Sequence, residues 1–178
     1  MAAAMTRKEQ KAEYANFKSI LLAELDRINA SEECDIHRAF VHETARVFSS
    51  TASGFSLTDG KNEWGIDFCR ADAPIFTIAQ CKCPQRPDIE ESDRPRSYDR
   101  EALEDLLTGI TYVRDVENTY PGATLDLKQF KNSYHESLRE WKKETRLQAA
   151  LAIFGELTPQ ADNYFKNQRN TLEKDGVE

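Results

Sequence analysis

Apolar residues spaced by three and four recur along most of the chain, and each such run predicts a helix that buries one stripe. Residues 6–28 place Tyr14, Phe17, Ile20, Leu21, Leu25 and Ile28 on a common stripe. A second helix is expected from about Glu32 to Phe48. Ile36, Phe40 and Val47 form its stripe, widened by Val41, Ala45 and Phe48. Glu33 and Glu43 fall on that same stripe, an unusual place for carboxylates. Ser31 is its candidate cap, although Cys34 occupies the position that a capping box gives to Glu or Gln. Residues 97–117 return to helical spacing through Leu103, Leu106, Leu107, Ile110 and Val113, and Pro121-Gly122 breaks the pattern. A long helix is expected from Leu125 to Arg146, with Leu127, Phe130, Tyr134, Leu138 and Trp141 on one side, which is read as the side covering a sheet. Thr158 followed by Pro159 opens a final helix, a capping residue followed by proline at the first helical position.

Between these runs lie stretches rich in aromatic and β-branched residues, which favour strands. Trp64, Ile66 and Phe68 belong to one, and Ile75 to Ile78 begin the next, with a turn at Asp72-Ala73-Pro74 between them. Phe55–Leu57 reads as a short strand inside the Ser/Thr/Gly-rich segment 49–62. Ala149–Phe154, an apolar run closed by Gly155, reads as a strand parallel to or beside the central pair. Pro84–Pro95 is polar, holds three prolines and reads as a loop. The order helix, helix, strands, helix, helix, strand, helix implies an α/β fold, a mixed sheet flanked by helices. With 178 residues and no internal repeat, a single domain is expected.

Composition narrows the function classes. A hydrophobic fraction of 39% with 31% charged residues fits a globular chain rather than a disordered one. No apolar run approaches the roughly 20 residues that cross a bilayer. The alanine-rich start, Met1 to Met5, lacks the apolar core of a signal peptide. A cytoplasmic protein without a membrane partner is therefore expected, with Cys34, Cys69, Cys81 and Cys83 reduced. The net charge of −7 argues against non-specific, charge-driven binding to nucleic acid. Arg94, Arg96 and Arg100 form a local exception. They either meet phosphates or pair with Glu90, Glu91 and Asp93.

The candidate chemistry lies on the two central strands. Side chains alternate across a strand, so Gln80 and Lys82 share a face while Cys81 points away. Asp67 stands on the neighbouring strand. Magnesium takes oxygen ligands in octahedral geometry and keeps several waters. The Asp67 carboxylate, the Gln80 amide oxygen and the Cys81 carbonyl can supply part of such a shell. A glutamate of the second helix can complete it: Glu43 is the first choice, and Glu33 lies on the same stripe. Glu63, near Asp67 in sequence, is a third option. Lys82 can orient an attacking water and offset charge growing on phosphoryl oxygens. A glutamine where an acid would otherwise stand removes one negative charge. Weak binding, with millimolar Mg2+ or with Mn2+ in its place, is therefore expected. Zinc is a poorer fit, since Cys81 and Cys83 are separated by one residue where zinc pairs have two to four. His37, His42 and His135 are scattered over helices.

Gly65-Ile66-Asp67 followed by Gln80-Cys81-Lys82 resembles the PD-(D/E)XK nuclease superfamily, in the variant where glutamine replaces the acid before X-Lys. The wider pattern, with a leading helix and a later strand ending in Phe154-Gly155-Glu156-Leu157, is similar to the nuclease-like amino-terminal region of abortive-infection phage-resistance proteins and to Mrr-type restriction enzymes. The resemblance spans roughly residues 30–160, and Ile66 stands where the family name has proline. It implies a restriction-endonuclease-like fold, DNA as substrate, cleavage dependent on Mg2+ or Mn2+, and a role in phage defence. Asp67, Gln80 and Glu43 would be metal ligands and Lys82 the catalytic lysine. Assembly as a homodimer or in a larger defence complex would follow by analogy. Family members are usually longer, which would make this chain the amino-terminal part of a larger protein. The rival expectation is the same fold without catalysis, serving as a nucleic-acid-binding or assembly module.

Overall fold

The computed structural model describes residues 7–32, 35–48, 54–58, 64–92, 94–117, 122–141 and 144–178. Helices α1 (Arg7–Glu32) and α2 (Ile36–Phe48) precede β1 (Ser56–Leu57), β2 (Phe68–Asp72) and β3 (Ile75–Lys82). A short helix α3 (Arg86–Glu91) and strand β4 (Ser97–Tyr98) lead to α4 (Glu101–Arg114) and α5 (Leu125–Glu140). The chain ends in β5 (Arg146–Ile153), β6 (Glu156–Leu157) and α6 (Pro159–Lys174).

The main sheet has the order β1-β2-β3-β5. β2 and β3 form an antiparallel hairpin around the Ala73-Pro74 turn, in the register Phe68↔Ala79 to Asp72↔Ile75. β5 runs parallel to β3 along its whole length, ending with Lys82 beside Ile153. The parallel pairing needs a long crossover, which α4 and α5 provide. β3 is buried from Phe76 to Cys81, as befits a strand covered on both faces. β4 and β6 form a separate two-stranded parallel sheet. The α/β architecture, a mixed sheet flanked by helices, matches the sequence expectation. Among the described residues, no helix is long and apolar enough to cross a membrane.

The strand alternation divides the core in two. Cys69, Phe76 and Ile78 pack with Leu103, Leu106, Ile110 and Val113 of α4 and with Leu127, Phe130 and Tyr134 of α5. Phe68, Ala79 and Cys81 pack on the other face with Leu25 and Ile28 of α1, and Ala39, Phe40, Val41 and Ala45 of α2. Each buried Phe, Leu or Ile stabilises the fold by about 2 kcal/mol through burial alone.

Several elements depart from the sequence pattern. α1 runs on through Ser31, and Asp35 caps α2 instead, its Oδ1 accepting from Arg38 N at 2.8 Å. Cys34 lies outside the described residues. The buried stripe of α2 is Ala39, Phe40, Val41, Thr44 and Ala45, while Val47 is 83% exposed. The expected stripe through Ile36, Phe40 and Val47 is thus rotated, and Glu43 sits at its margin. In α1 the stripe is buried only from Leu25 onward, and Phe17 and Ile20 face outward. Residues 64–67 form a turn before β2 rather than strand, because Trp64 and Gly65 both have positive φ. The expected loop 84–95 contains α3, and the helix expected from Ser97 begins at Glu101 after β4. α5 stops at Glu140, because Arg146 already belongs to β5. Trp141 at its end is exposed, whereas Phe130 and Tyr134 are buried as expected. The short strand near Phe55–Leu57, the strand at Ala149–Phe154 and the Thr158 cap are all present. Thr158 Oγ1 accepts from Ala161 N at 3.2 Å.

Candidate functional site

The pairing of β2 with β3 stops at Phe68, but β3 continues to Lys82 alongside β5. The last residues of β3 therefore offer backbone groups that no strand covers on the β2 side. Asp67 fills that gap. Its N–H donates to Ala79 O at 2.8 Å, and its carbonyl accepts from Thr58 N at 3.0 Å. Its carboxylate Oδ2 accepts from the Cys81 N–H and from Gln80 Nε2, the latter at 2.8 Å. Asp67 and Gln80 are each 3% exposed. A buried carboxylate needs such donors, and charge-assisted hydrogen bonds are the stronger kind.

The other end of the Gln80 amide differs. Gln80 Oε1 is buried and has no hydrogen-bond partner. Buried acceptors are rarely left so, and each one asks for a donor or a cation. Gln80 Nε2 also lies 3.4 Å from the Cys81 carbonyl, which His37 Nε2 approaches to 3.4 Å from α2. Lys82, two residues on, shares the face of Gln80 by strand alternation. Its ammonium pairs with Asp105 Oδ2 of α4 at 2.7 Å.

Two glycines place α4 there. A Cβ on Gly65 would stand 2.1 Å from the Asp105 carbonyl oxygen. A Cβ on Gly109 would stand 2.6 Å from Ile66 Cγ1 and 2.9 Å from the Trp64 carbonyl oxygen. Only glycine at both positions lets the helix press onto the turn that carries Asp67. Trp64 then stacks on Tyr112 of α4, with ring centroids 5.8 Å apart.

Of the four residues singled out from the sequence, the structure brings Asp67 and Gln80 into contact and sets Lys82 beside them in the chain. Glu43 is engaged elsewhere, its Oε1 3.1 Å from Arg46 Nη1, and Arg46 also reaches Glu24. Its helix packs on the Cys81 face of the sheet, with the Thr44 hydroxyl beside the Cys81 thiol. Glu33 and Glu63 lie outside the described residues. Asp105 was not singled out from the sequence, because it falls between the apolar positions of its helix. The signal was Gly109, since an isolated glycine inside a helical pattern marks close packing.

The cysteines and the histidines of α2 and α5 have structural surroundings, and Arg96 and Arg100 have partners other than the expected acids. Cys69, Cys81 and Cys83 are free thiols. Burial pushes Cys69 and Cys83 up to about 12, and pushes Cys81 up as well, with the Asp67 charge adding to it. None is a poised nucleophile. His42 packs its ring against Phe55, and His135 Nε2 donates to Val113 O at 2.8 Å. Arg96 stacks over Tyr98 and Arg100 pairs with Glu104 at 3.0 Å, while Glu90 pairs with Arg86. Asp93 lies outside the described residues.

The donor set at the end of β3 is an oxygen set: one carboxylate, one unpartnered amide oxygen and one backbone carbonyl. This suits Mg2+ or Mn2+ rather than a softer metal. Among the described residues, no three His, Cys, Asp or Glu side chains gather around a common point to hold a metal. A cation here would depend on Gln80 turning its amide so that Oε1, not Nε2, faces Asp67. No family model matches the chain, and neither the curated proteins nor the solved structures contain a match.

Proposed function

We propose that this chain is a metal-dependent DNA endonuclease domain with a restriction-endonuclease-like fold, serving a prokaryotic phage-defence or restriction system in the cytoplasm. The observation that supports it is the convergence at the end of β3. A buried carboxylate touches a buried amide whose oxygen lacks a partner, and a lysine follows two residues later on the same face. Asp67, Gln80 and the Cys81 carbonyl would hold Mg2+ or Mn2+. When bound, the cation supplies Lewis-acid polarisation of the phosphodiester and a more acidic water. Lys82 orients the attacking water by donating to its oxygen, and it stabilises the charge that gathers on the phosphoryl oxygens. Asp105 restrains the ammonium from the α4 side. A homodimer would present two such sites to opposite DNA strands.

Incubation of purified protein with supercoiled plasmid and Mn2+ or Mg2+ tests this. Nicking that requires the metal and disappears in Lys82→Ala supports the reading. Intact plasmid at high protein and metal concentration refutes it.

One observation favours a second reading, an inactive nucleic-acid-binding or assembly module. Asp67 Oδ2 is already taken up by the Cys81 N–H and Gln80 Nε2, so the acid also works as a structural plug for the open edge of β3. Under that reading Lys82→Ala leaves DNA binding unchanged and no condition yields cleavage.

A further inference from the structure

We propose that Asp105 of α4 supplies the helix carboxylate of the cation site, the role that the sequence pattern assigns to Glu43. This inference rests on the cation-binding reading above and adds to it a residue from outside the resembling motif.

Gln80 and Lys82 leave β3 on the face that α4 and α5 cover, whereas α2 covers the Cys81 face. A carboxylate that completes a shell begun by the Gln80 oxygen must come from the first of these faces. Asp105 stands on that face, beside Lys82. Its backbone abuts Gly65, two residues before Asp67, and its Oδ2 lies 2.7 Å from Lys82 Nζ. Among the described residues, its Oδ1 makes no hydrogen bond or ion pair, and its side chain is 52% exposed. Water and metal can reach it.

Charge points the same way. Asp67 and Lys82 cancel, and Gln80 is neutral. Two carboxylates and one ammonium leave one negative charge, enough to attract a divalent cation to a neutral amide oxygen. With the cation bound, the site carries one positive charge and complements a phosphodiester anion. Without Asp105 the same protein groups carry no net charge. Glu43 cannot add to this balance as it stands, because Arg46 already neutralises it.

Lys82 and the cation then share Asp105. Its Oδ2 restrains the ammonium, and Oδ1 is the oxygen available to the metal or to a metal-bound water.

The test is a Mn2+ titration of the full chain, read by the loss of the free Mn2+ electron paramagnetic resonance signal. Wild type, Asp105→Asn, Asp105→Glu and Glu43→Gln are compared, with thermal melting as the control for folding. Asp105→Asn keeps the shape of the residue, and its contact with Gly65 is through the backbone, so the fold is retained. The expected result is that Asp105→Asn weakens Mn2+ binding by at least about tenfold. Asp105→Glu should restore part of it, and Glu43→Gln should bind like wild type. Equal binding by wild type and Asp105→Asn overturns the assignment while leaving the cation site intact. Weakening by Glu43→Gln alone returns the role to α2. If wild type takes up no Mn2+ at millimolar concentration, the cation reading fails and this assignment fails with it.

Discussion

The two faces of the sheet meet the end of β3 in opposite ways. On the α1/α2 face, Ala79 and Cys81 are small and apolar, and the helices close over them with Phe40, Val41 and Ala45. On the α4/α5 face, the same strand switches from Phe76 and Ile78 to Gln80 and Lys82. The apolar packing there gives way to a hydrogen-bonded acid, an unpartnered amide oxygen and an ion pair. A strand buried on both faces has no need of polar residues for stability, and burying a polar group costs free energy unless it is paired. The unsatisfied Gln80 oxygen is therefore the feature on which the proposed site rests.

The largest expected contrast concerns chemistry. Lys82→Ala should lower plasmid cleavage by about a thousandfold, the size of losing one positioned charge stabiliser. Cys81→Ala, on the opposite face, should leave cleavage within about threefold once corrected for folded protein. Comparable losses in both would erase the distinction between the faces.

Stability sharpens the comparison next. Phe40→Ala should cost about 3–4 kcal/mol by urea denaturation, since the ring is enclosed by the α1/α2 core. Val47→Ala should change stability by less than about 0.5 kcal/mol, because the side chain lies in solvent. A cost at Val47 comparable with that at Phe40 would mean that α2 presents the stripe read from the sequence after all, with Glu43 turned toward the sheet. Gly65→Ala should cost about 3 kcal/mol, combining a left-handed backbone with a clash against the Asp105 carbonyl. Cleavage at fixed folded fraction should also fall, because α4 has to move off the turn that bears Asp67.

The smallest effect is a pH dependence on the α4/α5 face. His135 is held below its usual pKa, chiefly by burial, with the Lys131 and Arg139 charges adding to it and the Val113 carbonyl and Asp115 opposing it. The folded state thus binds this proton less readily than the unfolded chain. Stability contributed by the neutral ring is present above the unfolded value near 6.5 and is lost as pH falls through the interval below it. His135→Gln should flatten the pH profile of the urea midpoint below about pH 6.5. An unchanged profile would remove His135 as its source.

Much of this was legible in the residues, for identifiable reasons. The β2–β3 hairpin, β5 and the Thr158 cap follow from local chemistry, namely β-branched runs, a proline turn and a hydroxyl before Pro159. The shared face of Gln80 and Lys82 follows from strand alternation alone. The phase of α2 did not follow, because Val47 is apolar yet lies in solvent, and a stripe drawn through it turns the helix toward Glu43. Asp105 was out of reach for a different reason. Its place depends on how closely α4 crosses the Trp64-Gly65 turn, a tertiary contact that only Gly109 foreshadowed. The long α5 failed because apolar spacing continued to Trp141, past the end of the helix at Glu140.

The central claim is that Asp67 and Gln80 seat a divalent cation. A crystal of the protein soaked in Mn2+ and measured for anomalous scattering tests it most directly. A peak is expected within coordination distance of Asp67 and Gln80, with the Gln80 amide turned so that Oε1 faces the ion. Density with no peak there, and the Gln80 amide nitrogen still donating to Asp67, would contradict it.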